Sequence, residues 1–243
     1  SRRNPAPSRR ERRQDGQVSF SRALDVLLPR RCLLCRGRAT AGLCDGCNAD
    51  LPAIVDACHR CGIPLAGPWH DYADGTAQAQ ATERGGGSRL CASCITRPPP
   101  FDCTVAALDY VFPVTVLVQR FKFNRSLACG AVLSDWLLAA VMASIAGPGK
   151  TADLIVPVPL HPVRLFFRAF NQAEVLARDI SRSLGIPVLP RGLRRRRRTP
   201  AQMGLSARER RRNLKGAFTA RPMTGLDVAL VVIDTRRVAV AID

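Results

Sequence analysis

Four pairs of cysteines, each with two residues between its members, lie in the first part of the chain. They account for eight of the ten cysteines and are Cys32/Cys35, Cys44/Cys47, Cys58/Cys61 and Cys91/Cys94. A Cys-x-x-Cys turn directs both sulfurs at one ion, and two such turns complete a tetrahedral Zn²⁺ site with Zn–S distances of about 2.3 Å. The spacing therefore predicts two structural zinc ions, each with four cysteine ligands.

The sequence leaves open which pairs share an ion. Eight residues separate Cys35 from Cys44, the length of a short hairpin, whereas 29 residues separate Cys61 from Cys91. The longer loop costs little, because loop entropy grows only with the logarithm of length. We expect sequential pairing, with an interleaved arrangement of the first and fourth pairs as the alternative. Disulfides are disfavoured, because they need an oxidising compartment and the sequence carries no signal for one.

The composition around these pairs divides the chain into three parts. Residues 1–19, rich in Arg, Pro, Ser and Gln, predict a disordered basic tail. Residues 20–97 predict a double zinc ribbon domain with a flexible, glycine-rich insertion at 67–88. In residues 101–243, apolar segments with strand and helix patterns alternate. This alternation predicts an α/β domain with a mostly parallel sheet and flanking helices.

The elements expected to position polar groups are short strands and longer helices. Strands are predicted at Thr104–Tyr110, Leu154–Val156, Ile186–Leu189 and Val228–Ile233, and helices at Phe20–Leu28, Leu127–Ile145 and Asn171–Leu184. No apolar run reaches the ~18 residues of a membrane span, because Leu133–Ile145 contains Asp135. We therefore expect a cytoplasmic protein without a membrane span.

The net charge of +18 comes from 37 basic and 19 acidic residues, and 34 of the basic residues are arginines. Ten arginines lie between Arg191 and Arg212. Such a field favours nucleic acid or another polyanion. The alternative is a set of solvated surface arginines without a ligand.

A second candidate site follows the predicted strand Leu154–Val156. A proline-rich loop leads to Arg164 and Arg168 and then to the start of a helix at Asn171. Ligands of α/β sheets bind beyond the carboxyl ends of strands, and both arginines and helix N-termini favour anions. These residues predict an anion site, with a rigid turn and solvated arginines as the alternative.

Several motifs occur together in a fixed order and carry a family resemblance. After the cysteine pairs come Phe121-Lys122-Phe123, the loop Val156-Pro157-Val158-Pro159-Leu160, Phe170-Asn171-Gln172, Thr199-x-x-Gln202 and Glu209-Arg210-x-x-Asn213-x-x-Gly216-Ala217-Phe218. In this order, over about residues 22–233, the sequence resembles the ComF family of competence-associated proteins. The resemblance implies a double zinc ribbon followed by a type I phosphoribosyltransferase fold.

The resemblance also implies functional residues and partners. The phosphate pocket, for a phosphorylated sugar such as phosphoribosyl pyrophosphate (PRPP) with Mg²⁺ in an active enzyme, would comprise Lys122, Arg164, Arg168, Asn171, Gln172 and Asp234. Family members are linked to DNA uptake, acting on single-stranded DNA with a helicase-like partner. The basic residues expected to contact the DNA are Arg194, Arg195, Arg196, Arg197, Arg198 and Arg210.

The sequence departs from the family pattern where the chemistry would occur. The strand Val228–Ile233 runs into Asp234 followed by Thr235-Arg236-Arg237, with one acid and no Thr-Thr-Gly. Ala169 stands where the family has glycine, and the sequence ends at Asp243, which predicts an incomplete domain. We therefore expect a degenerate PRPP loop and an inactive or impaired enzyme, with catalytic residues unassigned and an active phosphoribosyltransferase as the alternative.

Overall fold

The computed structural model describes residues 31–65, 82–83, 89–145, 152–200, 204–220, 228–234 and 237–242. The predicted basic tail at 1–19, the predicted helix at 20–28 and nearly all of the predicted insertion at 67–88 lie outside these residues. The chain forms two compact units, Ser1–Ala49 and Asp50–Asp243. The first two cysteine pairs therefore belong to one unit, and the other two pairs belong to the second.

Short elements dominate the described chain. The helices are α1 (Asp45–Ala49), α2 (Ala92–Thr96), α3 (Val114–Phe123), α4 (Leu127–Ile145), α5 (Pro162–Arg168), α6 (Gln172–Leu184) and α7 (Ala207–Leu214). The strands are β1 (Thr82–Glu83), β2 (Arg89–Leu90), β3 (Cys103–Asp109), β4 (Leu154–Pro157), β5 (Leu193–Arg195), β6 (Phe218–Ala220), β7 (Val228–Asp234) and β8 (Arg237–Ile242). The predicted helices at 127–145 and 171–184 are confirmed, as are the strands near 104–110, 154–156 and 228–233.

A four-stranded sheet in the order β3-β8-β7-β4 forms the centre of the second unit. Strand β4 pairs in parallel with β7, and β8 is antiparallel to both of its neighbours. The segment predicted as a strand at 186–189 contributes a single parallel bridge between Ile155 and Val188. The second unit thus combines helices with a mixed sheet.

The prediction of a mostly parallel sheet is not confirmed for the described strands, because β8 is antiparallel to both of its neighbours. Only two residues separate β7 from β8 in the sequence. A two-residue connection can join antiparallel neighbours, whereas parallel neighbours need a crossover of a dozen or more residues. Strand β8 therefore lies antiparallel beside β7 and pairs with β3 on its other side.

Helix α4 supplies the largest part of the described helical core. Its buried side chains at Cys129, Leu133, Leu137 and Val141 recur every four residues and so lie on one face. The helix packs against α3, α6 and β3. Its close approach to α3 requires glycine at position 130, because a Cβ there would lie 2.6 Å from Cε2 of the buried Phe121.

By length and composition alone, α4 could cross a membrane over Leu127–Ser144. The same test is passed by core helices of proteins that never enter a bilayer, and α4 has a buried face of this kind. Ser134 on this helix donates a hydrogen bond to Asp179 Oδ2 of α6 at 2.7 Å. The apolar composition of α4 is accounted for in part by this packing.

Helix α6 begins and ends where its sequence signals predict. Asn171 precedes the helix and its Oδ1 accepts a hydrogen bond from the N–H of Ala173 at 3.2 Å. Gly185 ends it with a φ of 72°, a left-handed conformation that glycine adopts at low cost. The side chains of Leu176, Ala177 and Ile180 are buried, so the amphipathic pattern faces the core.

Candidate metal centres and anion-binding site

The first cysteine tetrad comprises Cys32, Cys35, Cys44 and Cys47, whose sulfurs all lie within 4.8 Å of one another. Tight turns position them, because Arg36 N–H donates to the Cys32 carbonyl at 3.1 Å and Asn48 N–H to the Cys44 carbonyl at 2.9 Å. Backbone N–H groups also point at the sulfurs, with Leu34 N lying 3.4 Å from Cys32 Sγ. This arrangement suits thiolate ligands.

The second tetrad comprises Cys58, Cys61, Cys91 and Cys94, again with all sulfurs within 4.8 Å. Cys58 N–H donates to the Ile63 carbonyl at 2.7 Å, and Cys91 N–H lies 3.3 Å from Cys58 Sγ. The pairs are therefore grouped sequentially, and the interleaved alternative is wrong. The 29 residues that separate Cys61 from Cys91 in the sequence are a length that a metal site tolerates.

The chemistry of the donors fits zinc. All ten cysteines are free, and the sulfurs of Cys35 and Cys44 and of Cys61 and Cys91 are 3.6 Å and 3.7 Å apart, well beyond a disulfide bond. Four converging thiolates match a tetrahedral structural Zn²⁺ site. Because protein sulfurs would fill all four positions, neither site offers a position for a catalytic water.

The thiols of each tetrad influence one another's pKa values. Burial raises the pKa of Cys32, but hydrogen bonds from the backbone of Cys44, Cys35 and Leu34 outweigh it and lower that pKa to about 6. In contrast, hydrogen bonds with Cys44 and Cys35 raise the pKa of Cys47 to about 12. Four crowded thiols do not all ionise together without a cation, and a bound Zn²⁺ would supply that cation.

The segment before and within the first half of the second tetrad is hydrogen-bonded to the outer edge of β3. Ile54 N–H donates to the Ala107 carbonyl at 3.0 Å, and Thr104 N–H donates to the His59 carbonyl at 2.9 Å. Ala53 also forms a bridge with Leu108. The second metal site and the sheet are therefore joined through backbone hydrogen bonds, which the sequence did not predict.

The residues of the predicted phosphate pocket lie beyond the carboxyl end of β4. Asn171 Nδ2 donates to the Val158 carbonyl at 3.0 Å and holds the start of α6 against the loop that follows β4. Arg168 Nη1 donates to Gln172 Oε1 at 3.3 Å across the turn between α5 and α6. Ala169 forms that turn with a left-handed φ of 68°, the conformation for which glycine is preferred.

The other predicted pocket residues are positioned by neighbouring elements. Arg164 on α5 donates from Nη2 to the carbonyls of Thr199 and Pro200, at 2.7 Å and 3.0 Å. Lys122 is buried on α3 beside Phe123, over whose ring the Arg168 guanidinium lies at 5.2 Å. Asp234 ends β7, three residues beyond Val231, which pairs with Pro157 of β4. The backbone of Asp234 is thus at the same sheet edge.

The arginines predicted to bind nucleic acid have different surroundings. Arg194, Arg196 and Arg198 are exposed. Arg197 is also exposed, but its Nη2 donates to the carbonyls of Asn213 and Lys215 at 2.8 Å and 2.9 Å. Arg210 is half-buried and its Nε donates to the Leu205 carbonyl at 2.8 Å. The half-buried member of the run, Arg195, lies with its guanidinium 5.1 Å from the ring centre of Phe218.

These features define a double zinc ribbon protein with an α/β region. Residues 23–95 match the double zinc ribbon domain family. Competence protein F of Haemophilus influenzae is 35% identical over 193 residues, covering 78% of this chain and 76% of that protein. The DNA utilization proteins YhgH of Salmonella typhimurium and Escherichia coli K12 are 33% and 31% identical over 211 residues, covering 85% of each chain. The chain belongs to the family of competence protein F and YhgH.

Zinc content gives a direct test of the two tetrads. We expect native mass spectrometry to find two zinc ions in the wild-type chain and one in either Cys47→Ser or Cys94→Ser. In either variant, loss of one zinc ion should also lower the free energy of unfolding by several kcal/mol, because binding of a structural zinc contributes directly to folding. Cys129→Ala is the matched control, since Cys129 is buried outside both tetrads. Two ions in Cys94→Ser would contradict the assignment.

Proposed function

We propose that this protein binds single-stranded DNA during DNA uptake in the cytoplasm. The family relationship carries the proposal, because relatives matching most of the chain are named competence protein F and DNA utilization protein. A helicase-like protein is the partner that the family resemblance suggests. The charge distribution of the chain adds a physical basis for contact with a polyanion.

The basic surface proposed for DNA is formed by the exposed residues Arg194, Arg196 and Arg198. The segment from Arg191 to Arg212 contains ten arginines and only one acid, Glu209. Hydrogen bonds from Ser206 lower the pKa of Glu209, so this acid stays ionised, but it offsets only one of the ten positive charges. Backbone phosphates release counterions when they meet such a surface, which favours binding at low salt.

Two exposed aromatic side chains on α5 support the same proposal. Phe166 and Phe167 are 81% and 72% exposed, and their ring centres are 5.7 Å apart in an edge-to-face arrangement. Arg125 donates from Nη2 to the Phe167 carbonyl at 3.3 Å, which brings a further cation to this part of the surface. Unstacked bases bind to exposed aromatic rings flanked by arginines, whatever the base sequence.

The salt dependence of DNA binding tests whether the DNA contacts this basic surface or responds only to the net charge of the protein. For Arg194→Gln with Arg196→Gln, we expect fluorescence anisotropy to show weaker binding of a labelled single strand. The slope of log K against log salt should fall in magnitude by about 1.4, since each single-strand phosphate contact contributes about 0.7. The matched control is Arg178→Gln with Arg182→Gln, because these arginines pair with Glu174 and Asp179. Equal losses in both double variants would contradict this surface.

The aromatic pair makes a different prediction in the same assay. Phe166→Ala with Phe167→Ala should weaken binding about tenfold or more, because base stacking on an aromatic side chain contributes about 1–3 kcal/mol per base. The salt slope should stay unchanged, since no phosphate contact is lost. Phe112→Ala is the control, as Phe112 is 79% exposed outside α5. Unchanged affinity in the Phe166/Phe167 variant would remove stacking from the proposal.

We infer that the α/β region resembles a phosphoribosyltransferase whose PRPP loop is degenerate. The proposed phosphate pocket keeps Arg164, Arg168, Asn171 and Gln172 around the start of α6, which favours a phosphorylated sugar as ligand. Strand β7 ends in one acid, Asp234, and two arginines follow within three residues. A transferase needs acids for the ribose hydroxyls and a loop of amides for the 5′-phosphate.

Release of pyrophosphate distinguishes the proposed degenerate loop from the alternative, an active PRPP-dependent phosphoribosyltransferase. With PRPP and Mg²⁺, the chain should release no more pyrophosphate than Asp234→Asn, measured by a coupled pyrophosphate assay in the presence of each nucleobase. We expect this low release because the sequence after Asp234 lacks Thr-Thr-Gly, and added Mg²⁺ cannot replace that loop. Release above that of Asp234→Asn over many turnovers would establish the enzyme and contradict the degenerate loop.

A further inference from the structure

Three arginines from two segments far apart in sequence converge near the start of α6. Arg164 and Arg168 come from α5, and Arg195 comes from β5. Arg164 donates from Nη2 to the Thr199 carbonyl at 2.7 Å, and Arg195 donates from Nη2 to Oγ1 of the same residue. Thr199 is only 3% exposed, so this shared contact lies inside the protein. We call Arg164, Arg168 and Arg195 the arginine cluster.

Strand geometry explains why Arg195 differs from its neighbours. Side chains alternate between the two faces of a strand. Along β5, Arg194 is exposed whereas Leu193 and Arg195 are partly covered. Arg195 is paired with Phe218 of β6 in the antiparallel register, and its guanidinium lies over that ring. The inward position of Arg195 therefore follows from the period of two and the β5–β6 pairing.

The positive charge of the cluster has no carboxylate partner among the described residues. The ion pairs of the described chain involve Arg60, Arg89, Arg178 and Arg182. Burial lowers the pKa of Arg195, and the charges of Arg164 and Arg168 lower it further. Three partly desolvated guanidiniums that repel one another are costly unless an anion lies between them.

Two buried polar atoms in this region also have no described hydrogen-bond partner, namely Gln172 Nε2 and Arg195 Nε. Gln172 is 3% exposed and its Oε1 already accepts from Arg168. Each of these two atoms is a donor, so each needs an acceptor, and an anion with several oxygens offers more than one. Gln172 is also the first residue of α6, a 13-residue helix whose N-terminal dipole favours negative charge.

We propose that Arg195 is the third cation of a pyrophosphate-binding site formed with Arg164, Arg168 and Gln172. The inference rests on the proposed phosphate pocket and assigns to it a residue from the basic run. Guanidinium groups bind phosphate oxygens through paired N–H donors, and several of them suit the dense charge of a diphosphate. Arg195 thereby serves the pocket, whereas Arg194 and Arg196 remain on the DNA-binding surface.

Binding of inorganic pyrophosphate to the full chain tests this assignment. Isothermal titration calorimetry should show that Arg195→Gln weakens binding at least tenfold, while the neighbouring Arg194→Gln changes it less than twofold. Arg195→Lys should lie between them, because it keeps the charge but loses the planar fork. Absence of binding by the wild type, or equal affinities of the Gln variants at positions 194 and 195, would overturn the proposal.

Chemical protection of the wild-type chain covers the case in which Arg195→Gln does not fold. Phenylglyoxal labelling followed by peptide mass spectrometry should show that pyrophosphate protects Arg164, Arg168 and Arg195 but not Arg194 or Arg196. Single-stranded DNA should protect Arg194 and Arg196. Failure of pyrophosphate to protect Arg195 overturns the inference. Failure of DNA to protect Arg194 and Arg196 counts against the DNA surface alone.

Discussion

The second cysteine tetrad and the outer edge of β3 hold the same stretch of chain. The sulfurs of Cys58 and Cys61 converge with those of Cys91 and Cys94, while the backbone on either side of Ala57 bonds to β3. An unpaired strand edge is open to wrong partners, and this segment covers it. Because the segment forms only isolated bridges, a zinc ion bound to the tetrad would help it to keep the shape that matches β3. A zinc ion at this tetrad would therefore act on the sheet through backbone geometry.

Signals confined to a few adjacent residues made the most reliable predictions. The Cys-x-x-Cys spacing identified both tetrads, and Asn171 and Gly185 marked the ends of α6. The sheet was harder, because strand direction depends on the connection rather than on the strand. The residues of β7 are equally compatible with a parallel and an antiparallel sheet. Only the two-residue connection between Asp234 and Arg237 requires β8 to be antiparallel. The attachment of Ala53–His59 to β3 has no sequence pattern at all, since backbone groups of any residue can make those bonds.

The run Arg194–Arg198 shows why identical residues cannot be assigned one role from the sequence. Arg194 and Arg196 point away from the protein, Arg197 binds backbone carbonyls, and Arg195 lies over Phe218. The available signal was the strand period, but β5 is only three residues long and a run of one residue type hides alternation. The contacts of Arg195 with Thr199 and Phe218 distinguish it from its neighbours in the run. Both contact residues are distant from α5 in sequence. The charge pattern therefore predicts that the segment is basic, but not which contact each arginine makes.

Binding an anion and transferring a sugar place different demands on this sheet edge. The arginine cluster needs only guanidiniums held at suitable distances, and the turn at Ala169 keeps Arg168 beside Gln172. That turn persists although a left-handed alanine costs about 1–2 kcal/mol relative to glycine. Transfer would also need a loop of backbone amides after β7, and the arginines that follow Asp234 cannot replace amides in a closely fitted phosphate cradle. The two properties can therefore separate, because binding an anion does not require the amide loop that transfer requires.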